Sequence, residues 1–174
     1  MVGRLARFSM KRCLGGDNIH GMVKPVFQLG PSADAKAIRE EVFCAEQGFK
    51  NEFDELDPTS TSLVLYLDGY PIATGRIGKV DPATYAIGRV AVRKPYRGMR
   101  IGSYLMEFLC ERARQMGAKT VMVHAQLDKR GFYNRLGFYE FAGGVIDEDE
   151  GVPHIHLAKD LYASWRPGGR RRRP

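Results

Sequence analysis

The residues best placed to do chemistry lie in a basic, glycine-containing stretch, residues 97–102 (RGMRIG), which opens a predicted helix. The first N–H groups of a helix lack intrahelical partners and carry partial positive charge, so a turn of this kind attracts anions. Gly98 and Gly102 allow the backbone to approach a ligand closely, and Arg97 and Arg100 add full positive charges. The stretch therefore predicts a phosphate-binding turn, with a solvated connection between a strand and a helix as the alternative.

The segments around this turn are predicted to be a strand and a long helix. Residues 87–92 alternate branched apolar side chains with small or polar ones, as strands do. The apolar residues that follow the 3.6-residue period of a helix are Leu105, Met106, Leu109, Cys110, Ala113 and Met116. The turn lacks the Gly-Lys-Ser/Thr of a P-loop and the complete G-x-G-x-x-G of a dinucleotide-binding fold, which disfavours both functions.

The turn resembles the acetyl-CoA-binding motif Q/R-x-x-G-x-G/A of the GNAT superfamily of N-acetyltransferases. Arg97 matches the first position of the motif and Gly102 the last, whereas Arg100 stands where the middle glycine is usual. This departure implies either a negative φ at residue 100 or an arginine that the turn tolerates.

Further blocks follow in the order that the family has them. Residues 124–126 and 131–138 resemble its second cofactor-contacting region, and residues 152–156 resemble the closing strand of a small bacterial subgroup. The resemblance extends over about residues 23–161, so the chain is identified as a small, single-domain, bacterial-type member of the family.

The resemblance implies an α/β fold of the GNAT, or acyl-CoA N-acyltransferase, type. Its sheet would be mixed and mostly antiparallel, with a splayed central strand pair at residues 87–92 and 119–125 and helices on both faces. The pantetheine arm of acetyl-CoA would lie in the opening, and the diphosphate on the turn. The implied cofactor-binding residues are Val90, Ala91, Val92, Arg97, Gly98, Met99, Arg100, Ile101, Gly102, Ser103, Gln126, Phe132 and Tyr133.

Acetyl transfer from a thioester to an amine needs a neutral amine, a stabilised oxyanion and a proton donor for the departing thiolate. The resemblance assigns the proton donor, or general acid, to Tyr133, whose phenol suits a thiol leaving group. From the residues alone, Phe132-Tyr133 is equally a core pair. Glu46, Glu55 and His154 are the candidates for the general base, and a chain of water molecules is an alternative.

The histidines raise the question of a metal. His154 and His156 point to the same face of a predicted strand, but no third ligand is near them in the sequence, so no metal site is predicted. His124 is predicted to pack within the sheet.

The acidic segment 51–57 (NEFDELD) is predicted to be a loop whose only apolar anchors are Phe53 and Leu56. It is either a solvated connection or a wall of the acceptor site that attracts a cationic amine. Arg76 lies in a strand and is either exposed or part of the acceptor cleft. The acidic run within residues 145–151 is predicted to be a solvated loop.

Composition bounds the remaining possibilities. The chain of 174 residues is 44% apolar and has no apolar run long enough for a membrane span, so a single domain without a membrane partner is expected. Three cysteines without metal-type spacing suggest reduced thiols and a cytoplasmic location. The net charge is +7, but the ends carry it: residues 1–20 have +3, residues 164–174 have +5, and the rest has −1.

We therefore predict a basic, poorly ordered extension at residues 1–20, a GNAT acetyltransferase domain at residues 21–163 and a disordered arginine-rich tail at residues 164–174. The leading function is an acetyl-CoA-dependent N-acetyltransferase that transfers its acetyl group directly to a primary amine, with a homodimer as one expectation from relatives. A non-catalytic CoA or acyl-CoA sensor is the first alternative. The second is a protein that contacts nucleic acid through its tails, although no specific nucleic-acid site is expected.

Overall fold

A computed structural model describes residues 6–11, 18–144 and 146–162, with the backbone alone described for residues 6–11, 18–21 and 142. Its strands are β1 (Ala6–Lys11), β2 (Asn18–Leu29), β3 (Thr61–Leu67), β4 (Tyr70–Lys79), β5 (Thr84–Val92), β6 (Thr120–Gln126), β7 (Tyr139–Glu140), β8 (Ile146–Asp149) and β9 (Val152–Asp160). Its α-helices are α1 (Ala33–Arg39), α2 (Ile101–Gln115) and α3 (Arg130–Arg135), and a π-helical segment, Glu40–Glu46, continues α1.

The strands of the described residues form one mixed sheet in the order β1-β2-β3-β4-β5-β6-β9-β7, with β8 also paired to β9. All strand pairs are antiparallel except β5 with β6, which is parallel. The β5–β6 register runs only from Thr84 opposite Thr120 to Ile87 opposite Val123. Beyond this point the two strands separate, which confirms the splayed central pair.

Helices cover both faces of the sheet. Leu63 and Leu65 of β3 belong to the core under α2, where Leu105 and Leu109 are fully buried. Val64, which points to the opposite face, packs in a second cluster with the residues of α1 and the π-helical segment. The predicted GNAT fold is therefore the observed one.

A tight contact and a bulge at Gly75 fix how α2 lies on the sheet. The register between β4 and β5 shifts next to Gly75, as predicted from a glycine within a strand. A Cβ at Gly75 would lie 2.6 Å from Cδ1 of Leu109, so the absence of a side chain lets α2 approach.

Ala6–Lys11 of the predicted extension pairs with β2, and the division into extension, domain and tail stays a prediction. One local prediction is wrong. Residues 146–149 form β8 instead of a solvated loop, because their backbone pairs with β9 while every side chain is exposed. That exposure removes the apolar alternation by which strands are recognised.

Cys110 is buried and Cys44 half-buried, and both are free thiols. Cys13 and the predicted tail lie outside the described residues. No helix among the residues that the structure describes has the length and apolar character needed to cross a membrane.

Candidate active site

A cleft of about 590 Å³ opens where β5 and β6 part. The end of β5, the first turn of α2, the end of β6 and helix α3 form its walls, and the π-helical segment with residues 47–52 closes one side. Most of the predicted cofactor-binding residues line it: Val90, Ala91, Val92, Arg97, Gly98, Arg100, Ile101, Gly102, Ser103, Gln126, Phe132 and Tyr133. The exception is Met99, which is buried in the core because it lies beneath the turn.

The turn before α2 is left-handed at two residues. Gly98 has φ 77° and Arg100 has φ 61°. The sequence left two explanations for the missing glycine, and a negative φ at Arg100 is wrong. The turn instead tolerates an arginine in the left-handed conformation that a glycine would adopt easily. An arginine here costs backbone strain of about 1–2 kcal/mol, which the surrounding structure must offset.

Gly102 allows α2 and α3 to meet at the cleft. A Cβ at Gly102 would lie 3.3 Å from Cζ of Phe132, which is closer than most such contacts. The ring of Phe132 in turn lies edge-on to Tyr133, with their centroids 5.0 Å apart. The last glycine of the motif thus brings the turn, Phe132 and Tyr133 together in one wall.

Arg97 is already engaged within the chain. Its Nε donates to the carbonyl oxygen of Val92 at 2.8 Å, and its Nη1 lies 2.8 Å from a carboxylate oxygen of Glu46. Glu46 does not line the cleft, and Glu55, also a candidate base, is exposed outside it. Neither carboxylate lines the cleft, and a role of either as the general base stays a prediction.

Tyr133 is buried on the cleft wall, with 8% of its surface exposed. It packs edge-on against Phe138 as well as Phe132. Burial raises the pKa of Tyr133 to about 12, so the phenol keeps its proton at neutral pH. The residue is thus both a core residue and a lining residue, and the two interpretations of Phe132-Tyr133 do not exclude each other.

The end of β5 offers main-chain groups to the cleft. Opposite Gly75, the strand carries two residues without a register partner in β4, Arg89 and Val90, and Arg89 has φ 53°. On the far wall, the side-chain amide of Gln126 donates to that of Gln47 at 2.7 Å.

The sequence predicted that Phe53 and Leu56 anchor the acidic segment 51–57, but both side chains are largely exposed. Phe53 is 43% exposed and Leu56 is 61% exposed, whereas Glu52 and Asp57 are each 5% exposed. The buried carboxylates pair with arginines from distant parts of the chain.

Arg39 is the centre of this ion-pair network. Its Nε donates to Glu52 at 2.6 Å, and its Nη1 and Nη2 donate to the two carboxylate oxygens of Asp57 at 2.7 and 2.9 Å. Arg76 bridges Asp57 at 2.8 Å and Asp54 at 2.5 Å. Arg76 is therefore neither an exposed strand residue nor part of the cleft lining.

The network is completed by Arg89, which lies 3.0 Å from Asp54 and 3.4 Å from Glu52. Three arginines thus match three carboxylates. Burial raises the pKa of Glu52 despite its hydrogen bond from Arg39. Burial also opposes ionisation of Asp57, but hydrogen bonds from Arg39, the Asp54 N–H and Arg76 hold its pKa well below the usual range.

The histidines meet on one face of the sheet. His154 is buried, lines the cleft and has its Nδ1 2.8 Å from the carbonyl oxygen of Val152. His124 is exposed instead of packed within the sheet, and its Nε2 lies 2.6 Å from Asp147. Nε2 of His156 lies 3.3 Å from the same carboxylate, so the fold supplies the third group that the sequence did not reveal.

Residues 32–138 match the Acetyltransferase (GNAT) family, which covers more than half of the chain. The chain belongs to the GNAT acetyltransferase family. It is 32% identical over 133 residues to the uncharacterised N-acetyltransferase YjcF of Bacillus subtilis, an alignment that covers 73% of this chain and 91% of YjcF. The family and the small, single-domain, bacterial-type form predicted from the sequence are confirmed.

Solved structures share the fold. A proposed N-acetyltransferase from Lactobacillus plantarum superposes with a TM-score of 0.73 at 35% identity, over 80% of this chain and 98% of that one. A GNAT family acetyltransferase from Elizabethkingia anophelis with acetyl-CoA bound has a TM-score of 0.63 at 14% identity, over 79% and 97% of the two chains. GNAT proteins are acyltransferases that use acyl-CoA, and this chain has the family's fold.

Sequence reasoning missed two groups of the site. Glu52 and Arg89 line the cleft, but their pairing depends on residues 37 positions apart in the chain. His124 was identified, yet its partner Asp147 was hidden in an acidic segment whose side chains are all exposed. The alternation of the β9 histidines was the only sequence signal for this cluster.

Proposed function

We propose that this GNAT protein is an N-acetyltransferase that transfers the acetyl group of acetyl-CoA directly to a primary amine. The observation that carries the proposal is one cleft in which the open edge of β5, the left-handed turn at residues 97–103 and Tyr133 meet. Each of these supplies a different requirement of the reaction. The E. anophelis relative with acetyl-CoA bound supports the choice of the acetyl donor.

The cofactor would be held largely by main-chain groups. The pantetheine arm would pair with Val90, Ala91 and Val92 as an added strand, because β6 no longer occupies that edge. The diphosphate would lie on the turn, where it would meet the N–H groups of the first turn of α2 and the charge of Arg100, which lines the cleft.

The chemistry would proceed by attack of the neutral amine on the thioester carbon. The N–H of Val90 stands next to the bulge and would stabilise the oxyanion that forms. Collapse of the intermediate breaks the carbon–sulfur bond, and Tyr133 would supply a hydrogen bond and a proton to the thiolate. Its raised pKa keeps the phenol protonated throughout the range in which the amine is neutral.

His154 is the candidate for the general base that the cleft favours. It lines the cleft, whereas Glu46 does not and is paired with Arg97. Because Nδ1 of His154 is directed at the Val152 carbonyl oxygen, Nε2 is the nitrogen left to accept a proton, directly or through water.

The acceptor is proposed to be a primary amine, and a small cationic one fits less readily than the sequence suggested. Three of the four carboxylates of segment 51–57 are matched by Arg39, Arg76 and Arg89, and the fourth, Glu55, does not line the cleft, so the segment places no unmatched charge there. Asp149 supplies an exposed carboxylate on the rim of the cleft. A cytoplasmic location and a homodimer accompany the proposal as expectations.

Replacement of Tyr133 by phenylalanine tests the proposal. Loss of the proton donor should lower kcat for a turned-over amine by about 10²–10⁴-fold while the KM for acetyl-CoA changes little. The matched control is Tyr85→Phe, which removes a hydroxyl that donates to Met116 outside the cleft and should leave kcat unchanged. Activity of Tyr133→Phe equal to that of Tyr85→Phe would show that the proton comes from elsewhere.

The alternatives give different results in the same preparation. A CoA sensor would bind acetyl-CoA tightly and release no CoA with any amine in a broad acceptor panel. A nucleic-acid protein would lose RNA binding when residues 166–174 are deleted, while its affinity for acetyl-CoA would not change.

A further inference from the structure

We propose that His124, Asp147 and His156 form a binding site for a divalent transition-metal ion of the Zn²⁺ class. None of the three residues has a role in the acetyl transfer outlined above, although His124 lines the cleft and its ring centroid lies 4.7 Å from that of His154. Its three side chains come from three different strands, β6, β8 and β9, and the ligand atoms that they offer all lie within 4.8 Å of one another.

The register of the sheet places the groups together. His124 lies directly opposite His156 in the β6–β9 pair, and Asp147 lies opposite His154 in the β8–β9 pair. Side chains of adjacent strands that share a face stand next to each other, so the arrangement follows from the backbone. The rings of His124 and His156 are stacked with centroids 4.4 Å apart, and the Nε2 atom of each faces the Asp147 carboxylate, so a shared ion requires one ring to turn toward it.

The distances suit a tetrahedral site with two imidazoles and one carboxylate. Ligand atoms at about 2.0–2.1 Å from Zn²⁺ are separated from each other by about 3.3 Å. The carboxylate oxygens of Asp147 lie 2.6 Å from His124 Nε2 and 3.3 Å from His156 Nε2, so the first pair must open by less than 1 Å. Both imidazoles would ligate through Nε2 with their proton on Nδ1, so the ion would take the place of the proton that each Nε2 shares with Asp147.

The site is accessible from solvent. The side chains of His124, Asp147 and His156 are 37%, 47% and 36% exposed. A bound ion would therefore keep at least one position for water, unlike a closed structural site. Nitrogen ligands favour Zn²⁺, Co²⁺ or Ni²⁺ over Mg²⁺, which prefers oxygen.

Metal binding would fix the β8–β9 hairpin against β6. The turn of this hairpin already reaches the acceptor side of the cleft, because the carboxylate of Glu150 accepts hydrogen bonds from the N–H groups of Lys50 and Asn51 at 2.8 and 2.9 Å. Asp149 and Asn51 both line the cleft. An ion that joins β6 to β8 would thus restrain the rim beside the proposed acceptor site.

The test is titration of full-length protein, without a polyhistidine tag, with Zn²⁺ by calorimetry and with Co²⁺ by visible absorption. We expect one ion per chain, visible bands of a tetrahedral nitrogen–oxygen Co²⁺ site, and no response to Mg²⁺. His124→Ala and Asp147→Asn should each weaken Zn²⁺ binding by at least about tenfold. Asp147→Glu, which keeps the carboxylate, should lose less than Asp147→Asn.

The matched control is Glu148→Gln, which removes the same charge from the same strand on the opposite face and should bind Zn²⁺ like the wild type. Melting temperatures in the absence of metal should agree among the variants, since the replaced side chains are exposed. The proposal is overturned if the wild type binds no Zn²⁺, if Asp147→Asn binds as tightly as Glu148→Gln, or if Co²⁺ shows the charge-transfer bands of thiolate ligands.

Discussion

The two sides of the cleft are built by opposite means. The proposed cofactor side, residues 97–103, consists of consecutive residues whose backbone takes the left-handed conformation at Gly98 and Arg100. The proposed acceptor side is segment 51–57 with Arg39, Arg76 and Arg89, of which Asn51, Glu52 and Arg89 line the cleft and the others do not. Its charged side chains pair across 13 to 37 positions of sequence. One side depends on local geometry, and the other on pairing between distant charges.

Because of this difference, we expect the removal of a charge to affect ligand binding on the first side and stability of the fold on the second. Charges on the cofactor side are exposed to solvent, and the one ion pair there, between Arg97 and Glu46, is partly exposed, so their removal should weaken binding while the fold remains. Charges on the acceptor side are buried or half-buried and are matched, so the removal of a buried one such as Arg39 leaves its partners desolvated and unpaired. The predictions that follow test this separation from the largest expected effect to the smallest.

Replacement of Arg39 by methionine should have the largest effect on stability. The change leaves Glu52 and Asp57 buried without their main partner, and the free energy of unfolding should fall by about 3–5 kcal/mol. The control is Arg130→Met, which breaks an exposed ion pair with Glu140 and should cost about 0–1 kcal/mol. Urea denaturation measures both, and equal losses would show that the network is not the anchor of the loop.

The ion-pair network should make the free energy of unfolding depend on pH in two opposite ways. Asp54 and Asp57 have pKa values below 3.8 in the fold, so the unfolded chain takes up their protons first and stability falls as the pH drops below about 4. Glu52 has the opposite sign: its pKa is raised above 4.5, so the fold takes up this proton first and stability rises slightly as the pH falls toward 4.5.

Stability measured by denaturation from pH 7 to pH 3 should therefore pass through a maximum near the ordinary pKa of a glutamate. Glu52→Gln should abolish the rise and keep the fall. A steady fall from pH 7 in the wild type would mean that Glu52 is ionised as easily in the fold as in the unfolded chain.

Arg100→Gly should change stability least. Glycine relieves the left-handed strain of about 1–2 kcal/mol but increases the entropy of the unfolded chain by about 0.5–1 kcal/mol, so a gain of up to about 1 kcal/mol is expected. The control is Arg97→Gly, where φ is −73° and glycine brings no relief, so stability should fall slightly. If both variants lose the same stability, the turn is not strained at Arg100.

The sequence predicted the cofactor side because its signals are local. Gly98, Gly102 and the apolar period of α2 lie within one stretch, and their consequences for backbone and dipole do not depend on the rest of the chain. The conformation of Arg100 was not predictable, since an arginine by itself favours negative φ and only the surrounding turn imposes the positive value.

The acceptor side could not be predicted because its residues are paired by the tertiary fold. Nothing in segment 51–57 indicates that Glu52 and Asp57 turn inward while Phe53 turns outward. The histidine cluster depends on the register of β6, β8 and β9, and β8 itself carries no apolar pattern. Sequence patterns report burial of apolar groups, and they do not report which charges meet.

The most direct test of the proposed cofactor site is calorimetric titration of the full-length protein with acetyl-CoA and with CoA. We expect the wild type to bind with a dissociation constant on the order of 1 μM, and Arg97→Ala/Arg100→Ala to bind at least about tenfold more weakly, which corresponds to about 1.4 kcal/mol. Arg114→Ala/Arg130→Ala removes the same charge outside the cleft and should bind like the wild type. Absence of binding by the wild type, or equal affinity of the two double variants, would contradict the account.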